Sequence, residues 1–249
     1  MQKLSKLGDC PNRLKIIDWE SFRPIIASVL IRERKSNAGR PPYDCILLFK
    51  TIVLQRLYNL SDDQTEYQIN DRMSFMRFLG LGLDDKVPDA KTIWLFKDTL
   101  TKAGIMEQLF SQFNQMLEDR GIITHKGTIV DATFVDAPRQ RNSRDENRKI
   151  KNGEIPEEWE KLPKHVRNEI CEKGYRNTPL TKEQKEDNRR KSKIRCRIEH
   201  VFGFMTTSMN GLTVRSIGLR RVTFNIGLTN FVYNLCRYSF LCRKEVAIG

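Results

Sequence analysis

Apolar positions recur with a helical period through the first half of the chain and alternate only once, near its middle. The breaker cluster Gly39-Arg40-Pro41-Pro42 precedes Asp44, which can cap a helix to about Asn59. Its apolar residues, Ile46, Leu47, Phe49, Ile52, Val53, Leu54 and Leu57, cover a wide face. Ser61 followed by Gln64 fits a capping box and predicts a short helix over 62–70. Another helix is predicted over 74–79, before the Gly80-Leu81-Gly82 turn. Asp89 caps a further one over 90–101, and 105–120 is amphipathic through Leu109, Phe110, Phe113, Met116 and Leu117. Ahead of these, the first 40 residues hold one apolar stretch, Ile25 to Ile31. Residues 1–122 therefore read as a helical N-terminal domain of helix-turn-helix character.

The period then changes. Residues 128–135 alternate, with Ile129, Asp131, Thr133 and Val135 on one face and Val130, Ala132, Phe134 and Asp136 on the other. This is the clearest strand in the chain. Residues 139–181 carry Gly153, Pro156, Pro163, Gly174 and Pro179 and no second alternating run, so they read as irregular. Helical spacing returns at about Lys182 to Met209, through Ile194, Ile198, Val201, Phe202 and Met205. Gly211 is a plausible terminator, and 215–221 a basic connector. A last helix is predicted from Thr223 to about Leu241, with Phe224, Leu228, Phe231, Val232 and Leu235 as its stripe. The fold class is mostly α with a small β element.

Charge sharpens this picture. The chain has 249 residues and a formal net charge of +13, which points to nucleic acid as partner. Between Arg189 and Arg221 lie nine cations (Arg189, Arg190, Lys191, Lys193, Arg195, Arg197, Arg215, Arg220, Arg221) and one acid, Glu199. No apolar run approaches the ~18 residues of a membrane span, and the first residues show no secretory signal core. Six cysteines without a CxxC pair read as reduced thiols in a cytosolic protein.

Two carboxylates carry candidate chemistry. Asp131 lies mid-strand in an apolar context, where a carboxylate is paired, protonated or metal-bound. Glu199 shares a polar strip with Ser192, Arg195 and Thr206, along the edge of the buried stripe of its helix at ~100° per residue. The plainer reading of Glu199 is an i,i+4 ion pair with Arg195. Carboxylates on separate elements of a basic chain suit Mg²⁺ chemistry on phosphodiesters, since hard cations take oxygen ligands. Histidines 125, 165 and 200 lack zinc-like spacing, and no GxxxxGK[ST] loop supports nucleotide hydrolysis.

Longer strings carry a family resemblance. Gly39-Arg-Pro-Pro-Tyr-Asp44, Leu54-Gln-Arg-Leu-Tyr-Asn-Leu-Ser61, Tyr67-Gln-Ile-Asn-Asp-Arg72, Ser74-Phe-Met-Arg-Phe-Leu-Gly80 and Val87-Pro-Asp-Ala-Lys-Thr-Ile-Trp94 resemble one N-terminal helical domain. That domain belongs to the DDE transposases of bacterial insertion sequences, of the insertion sequence five type. Ile129-Val-Asp-Ala-Thr133 is similar to the family's first catalytic strand. Arg195-Cys-Arg-Ile-Glu-His-Val-Phe-Gly203 is similar to the signature around its catalytic Glu, and Asn230-Phe-Val-Tyr-Asn-Leu-Cys-Arg-Tyr238 to its closing helix.

The resemblance implies a ribonuclease-H-like α/β catalytic domain over 123–249. It makes Asp131 and Glu199 catalytic residues and metal ligands, with Arg195 in support. It implies Mg²⁺ (or Mn²⁺) as cofactor, and as partners the DNA of the element's terminal inverted repeats and of the target. A bacterial, cytoplasmic, nucleoid-associated protein follows, acting as a homo-oligomer or with an intact transposase. One departure matters. Glu199 follows Asp131 by only 68 positions, and nothing between them resembles the family's further strands or its second catalytic Asp. Asp145 and Asp187 fall in the interval, but neither ends an apolar strand. The implied catalytic domain is therefore incomplete, with an internal deletion whose junction lies near 162–171. Metal binding is then weak or absent, and catalysis impaired. A non-catalytic DNA-binding remnant, or an inhibitor of the intact transposase, is the alternative.

Overall fold

A computed structural model of the chain describes residues 10–30, 42–122, 180–209, 211 and 213–248. Helices α1 (Cys10–Arg13), α2 (Arg23–Leu30), α3 (Cys45–Leu57), α4 (Asp62–Asp71), α5 (Met73–Leu79), α6 (Ala90–Ala103) and α7 (Met106–Asp119) occupy the first half. Helix α8 (Lys182–Gly203) continues into a π-helix over Phe204–Ser208, and α9 (Leu219–Ile248) follows. Among the described residues there is no β-strand element. The predicted strand over 128–135, with Asp131, lies outside them, as does the predicted irregular stretch over 139–181 apart from its last two residues.

The predicted caps hold. The Asp44 carboxylate accepts from the backbone N–H groups of Ile46 and Leu47 at the start of α3. Ser61 and Gln64 form both halves of the capping box of α4. Asp89 accepts from the Thr92 N–H at 2.6 Å. Gly80 and Gly104 end α5 and α6 in the left-handed conformation, which glycine adopts without Cβ strain. Three boundaries differ from the predicted ones. The 182–209 helix changes to a π-helix after Gly203, and the last helix begins at Leu219, four residues earlier than predicted, and extends to Ile248.

The described chain forms two compact units. One comprises 138–203, represented by α8. The other joins 1–137 with 204–249. In this second unit α9 packs against α3, α6 and α7. Residues 204–248 thus pack with the N-terminal helices, although the sequence reading grouped them with the second domain. The reason is a stripe that must be buried: Phe224, Leu228, Phe231, Val232 and Leu235 are all buried. The Phe231 ring lies 5.5–6.0 Å, centroid to centroid, from those of Phe22, Phe49, Phe110 and Phe113. Ser239 Oγ donates to the Arg13 carbonyl at 2.7 Å, tying the far end of α9 to the start of the chain. No helix among the described residues is long and apolar enough to cross a membrane. Cys45, Cys196, Cys236 and Cys242 are not joined in disulfides among the described residues.

Candidate nucleic-acid interface

The cations singled out in the sequence fall into two groups. Arg189, Arg190, Lys191, Lys193, Arg195 and Arg197 lie on α8, in the 138–203 unit, while Arg215, Arg220 and Arg221 lie at and before the start of α9. On α8, Arg189 and Lys193 are exposed. Arg190 and Lys191 both turn to Asp187, at 2.8 Å each, and Lys191 is almost fully buried. Hydrogen bonds from Lys191 and then Arg190 hold the Asp187 carboxyl below the usual carboxylate range. Ser192, Glu199 and Thr206 are exposed, as expected for the polar edge of this segment. The side chains of Arg195 and Arg197 lie outside the description, as does all of Asp131. The position of Asp131 relative to Glu199 thus lies outside the described residues. Among the described residues no three His, Cys, Asp or Glu side chains converge as a cation site. Glu199 alone cannot satisfy the octahedral oxygen shell that Mg²⁺ requires.

The second group opens onto a cleft that the sequence did not indicate. It lies between the C-terminal end of α3, the start of α4, α6 and the segment leading into α9, with a volume of about 370 Å³. Arg56 lines it with only 7% of its surface exposed. One terminal nitrogen, Nη2, donates to the Gly211 carbonyl, and Nη1 makes a long 3.4 Å contact with Asn59 Oδ1. Its Nε is buried without a partner, and no carboxylate pairs with it among the described residues. Burial, and next the nearby Arg215 charge, push the guanidinium down to about 10.

The approach of Arg56 to Gly211 depends on the missing side chain. A Cβ at 211 would stand 3.1 Å from both the Met205 carbonyl and Thr229 Cγ2, and 3.3 Å from Arg56 Nη2. The cleft's other cations differ in having acids. Lys97 Nζ lies 2.5 Å from Asp62, and Arg221 donates to Asp98 at 2.9 Å while lying 5.7 Å from the centre of the half-exposed Trp94 ring. Asp98, itself 8% exposed, also takes Lys102 at 2.7 Å. Hydrogen bonds from Lys102 and then Arg221 lower its carboxyl. Among the described residues, Arg56 and Arg215 are thus the two cleft cations without an acid.

With this geometry in place, comparison with known proteins settles the family. Residues 12–99 match a transposase domain (DUF772), and residues 151–235 match a transposase DDE domain. The chain belongs to the DDE transposases. No solved structure matches it. In this transposase Glu199 and the whole basic set fall within the second matched segment, and Asp131 falls between the two. The cleft joins both segments, since Arg56, Trp94 and Lys97 come from the first and Arg215 and Arg221 from the second. The available sequence signal was the pair Gln55-Arg56 directly after the apolar run Ile52-Val53-Leu54, in a stretch that is buried from Thr51 to Leu57.

Proposed function

We propose that this transposase, of insertion sequence five type, binds the terminal DNA of its element but is impaired in cutting and strand transfer. The observation that carries the reading is the 68-residue spacing between Asp131 and Glu199, with no second apolar strand end to bear an Asp. Of the two Asp residues within that interval considered above, Asp187 is committed to Lys191 and Arg190. Asp131 and Glu199 would be the surviving carboxylates of a ribonuclease-H-like site, with Arg195 in support. Together they offer oxygen donors to Mg²⁺ or Mn²⁺, which when bound activates water and stabilises the leaving oxygen. Two ligands of three hold such an ion weakly. Arg189, Lys193, Arg197, Arg215 and Arg220 supply positive charge for the phosphate backbone, and Arg190, Lys191 and Arg221 add to it through their shared acids. The protein then works in the bacterial cytoplasm on nucleoid DNA, with target DNA, a second copy or an intact transposase as further partners. A non-catalytic binder that inhibits the intact transposase by occupying element ends fits the same spacing.

The test is strand nicking of the element's terminal DNA with Mg²⁺ or Mn²⁺, beside a binding assay on the same DNA. Asp131→Asn and Glu199→Gln serve as controls. Salt-sensitive, end-specific binding without nicking is expected. Nicking that disappears in both variants would show that another acid completes the site.

A further inference from the structure

Arg56 and Arg215 present an electrostatic problem that the described residues leave unsolved. Two guanidinium groups share one cleft, one of them buried, with no carboxylate between them among the described residues. Burying an unpaired charge is costly, and a like charge beside it adds to the cost. Buried cations are normally matched by an anion, and here the chain directs its acids elsewhere. Asp62 takes Lys97 and the Gln55 amide, while Asp98 takes Lys102 and Arg221. Arg56 is meanwhile tied to the Gly211 carbonyl through Nη2, while its Nε is buried without a partner. Asn225 fixes the entering segment by donating to Ser216 Oγ and to the Arg221 carbonyl, both at 2.9 Å. The donors that remain are planar guanidiniums, whose fork geometry matches phosphate oxygens.

We propose that this cleft grips a backbone phosphate of bound DNA between Arg56 and Arg215. The assignment of DNA as the source of the phosphate rests on the function proposed above; the anion chemistry of the cleft does not. Such a contact fixes the position and register of the duplex without reading its sequence. It also places residues from both transposase segments on one phosphate, so that DNA engagement and the docking of the segment before α9 occur together.

The experiment uses the full chain with two probes. Inorganic phosphate is titrated at constant ionic strength against chloride, and the thermal midpoint is followed. The wild-type midpoint is expected to rise with phosphate, because a ligand that binds only the folded state stabilises it. The rise is expected to disappear in Arg215→Ala, an exposed position that leaves the core intact, and in Arg56→Met. Duplex DNA binding is then measured across salt concentrations. In Arg215→Ala the slope of log affinity against log salt should fall by about one, the value for one lost phosphate contact. An undiminished phosphate response in both variants overturns the cleft as an anion site. A lost phosphate response with an unchanged DNA slope overturns DNA as the occupant and leaves free phosphate in its place. If the wild type binds phosphate through Arg215 but no DNA at low salt, the proposed function falls as well. That failure is separable, since the phosphate titration reads the cleft directly.

Discussion

Arg56 and Asp98 are opposite solutions to burying a charge on a helix. Among the described residues Arg56 carries its charge inward without an acid, and its buried hydrogen bond reaches a carbonyl 155 residues away. Replacing it by Met removes that bond but also removes the desolvated charge. These terms oppose each other at a few kcal/mol or less, so Arg56→Met should shift the unfolding free energy by no more than about 1 kcal/mol in phosphate-free buffer. Urea denaturation measures this, and a loss several times larger would identify Arg56 as a structural strut. Asp98 is fully matched by Lys102 and Arg221. Its folded carboxyl titrates below its unfolded value, so its contribution is present above the unfolded range near pH 4 and disappears as pH falls through the lower folded value. Asp98→Asn should therefore lower the thermal midpoint at neutral pH and flatten the acid limb of stability against pH. Neither role was legible in the sequence. Arg56 there is one of several polar positions in a mainly apolar helix, and the Gly211 carbonyl that gives it meaning returns from a distant segment.

Elements were legible where the physics is local. The caps Asp44, Ser61 and Asp89 are set by side chains two or three residues from the N–H groups they satisfy, and all three form as the pattern predicts. Ser61→Ala should cost about 1 kcal/mol, the usual value of a lost N-cap, readable as a shift in the denaturation midpoint without a change in slope. The stripe of α9 was legible for the same reason, because its spacing alone fixes one face. The basic run on α8 was legible only as composition. The fold of that helix assigns Arg190 and Lys191 to Asp187 and leaves Arg189 and Lys193 exposed. Arg189→Ala and Lys193→Ala should accordingly weaken DNA binding and its salt dependence more than Arg190→Ala or Lys191→Ala. Equal losses in all four, measured by anisotropy, would show that those ion pairs yield to phosphate.

At the scale of the molecule, pairing between distant segments decides the fold, and that is the information a periodic pattern lacks. The sequence shows that Phe231 faces inward but not that Phe22, Phe49, Phe110 and Phe113 await it. Phe231→Ala should cost about 3–5 kcal/mol, as expected for a fully buried aromatic ring whose cavity cannot collapse. A fragment of residues 1–122 should lack a cooperative thermal transition, and a peptide spanning 204–248 should restore it in circular dichroism. A sharp transition in the fragment alone would show that the N-terminal helices need no α9. The predicted strand bearing Asp131 lies outside the described residues and between the two matched segments, so this part of the candidate site rests on the sequence pattern.

The route of α9 back onto the first helices also sets an order in time. During synthesis the rings of Phe22, Phe49 and Phe113 leave the ribosome long before residues 219–248 exist to cover them. The helical half cannot close as each part emerges, as an N-terminal domain ordinarily does. It must wait until the segment bearing Glu199 has been translated. A nascent chain interrupted anywhere before α9 therefore has neither the finished aromatic core nor the cleft lined by both Arg56 and Arg215, and the anion site proposed there is withheld until the polypeptide has passed through both of its transposase segments.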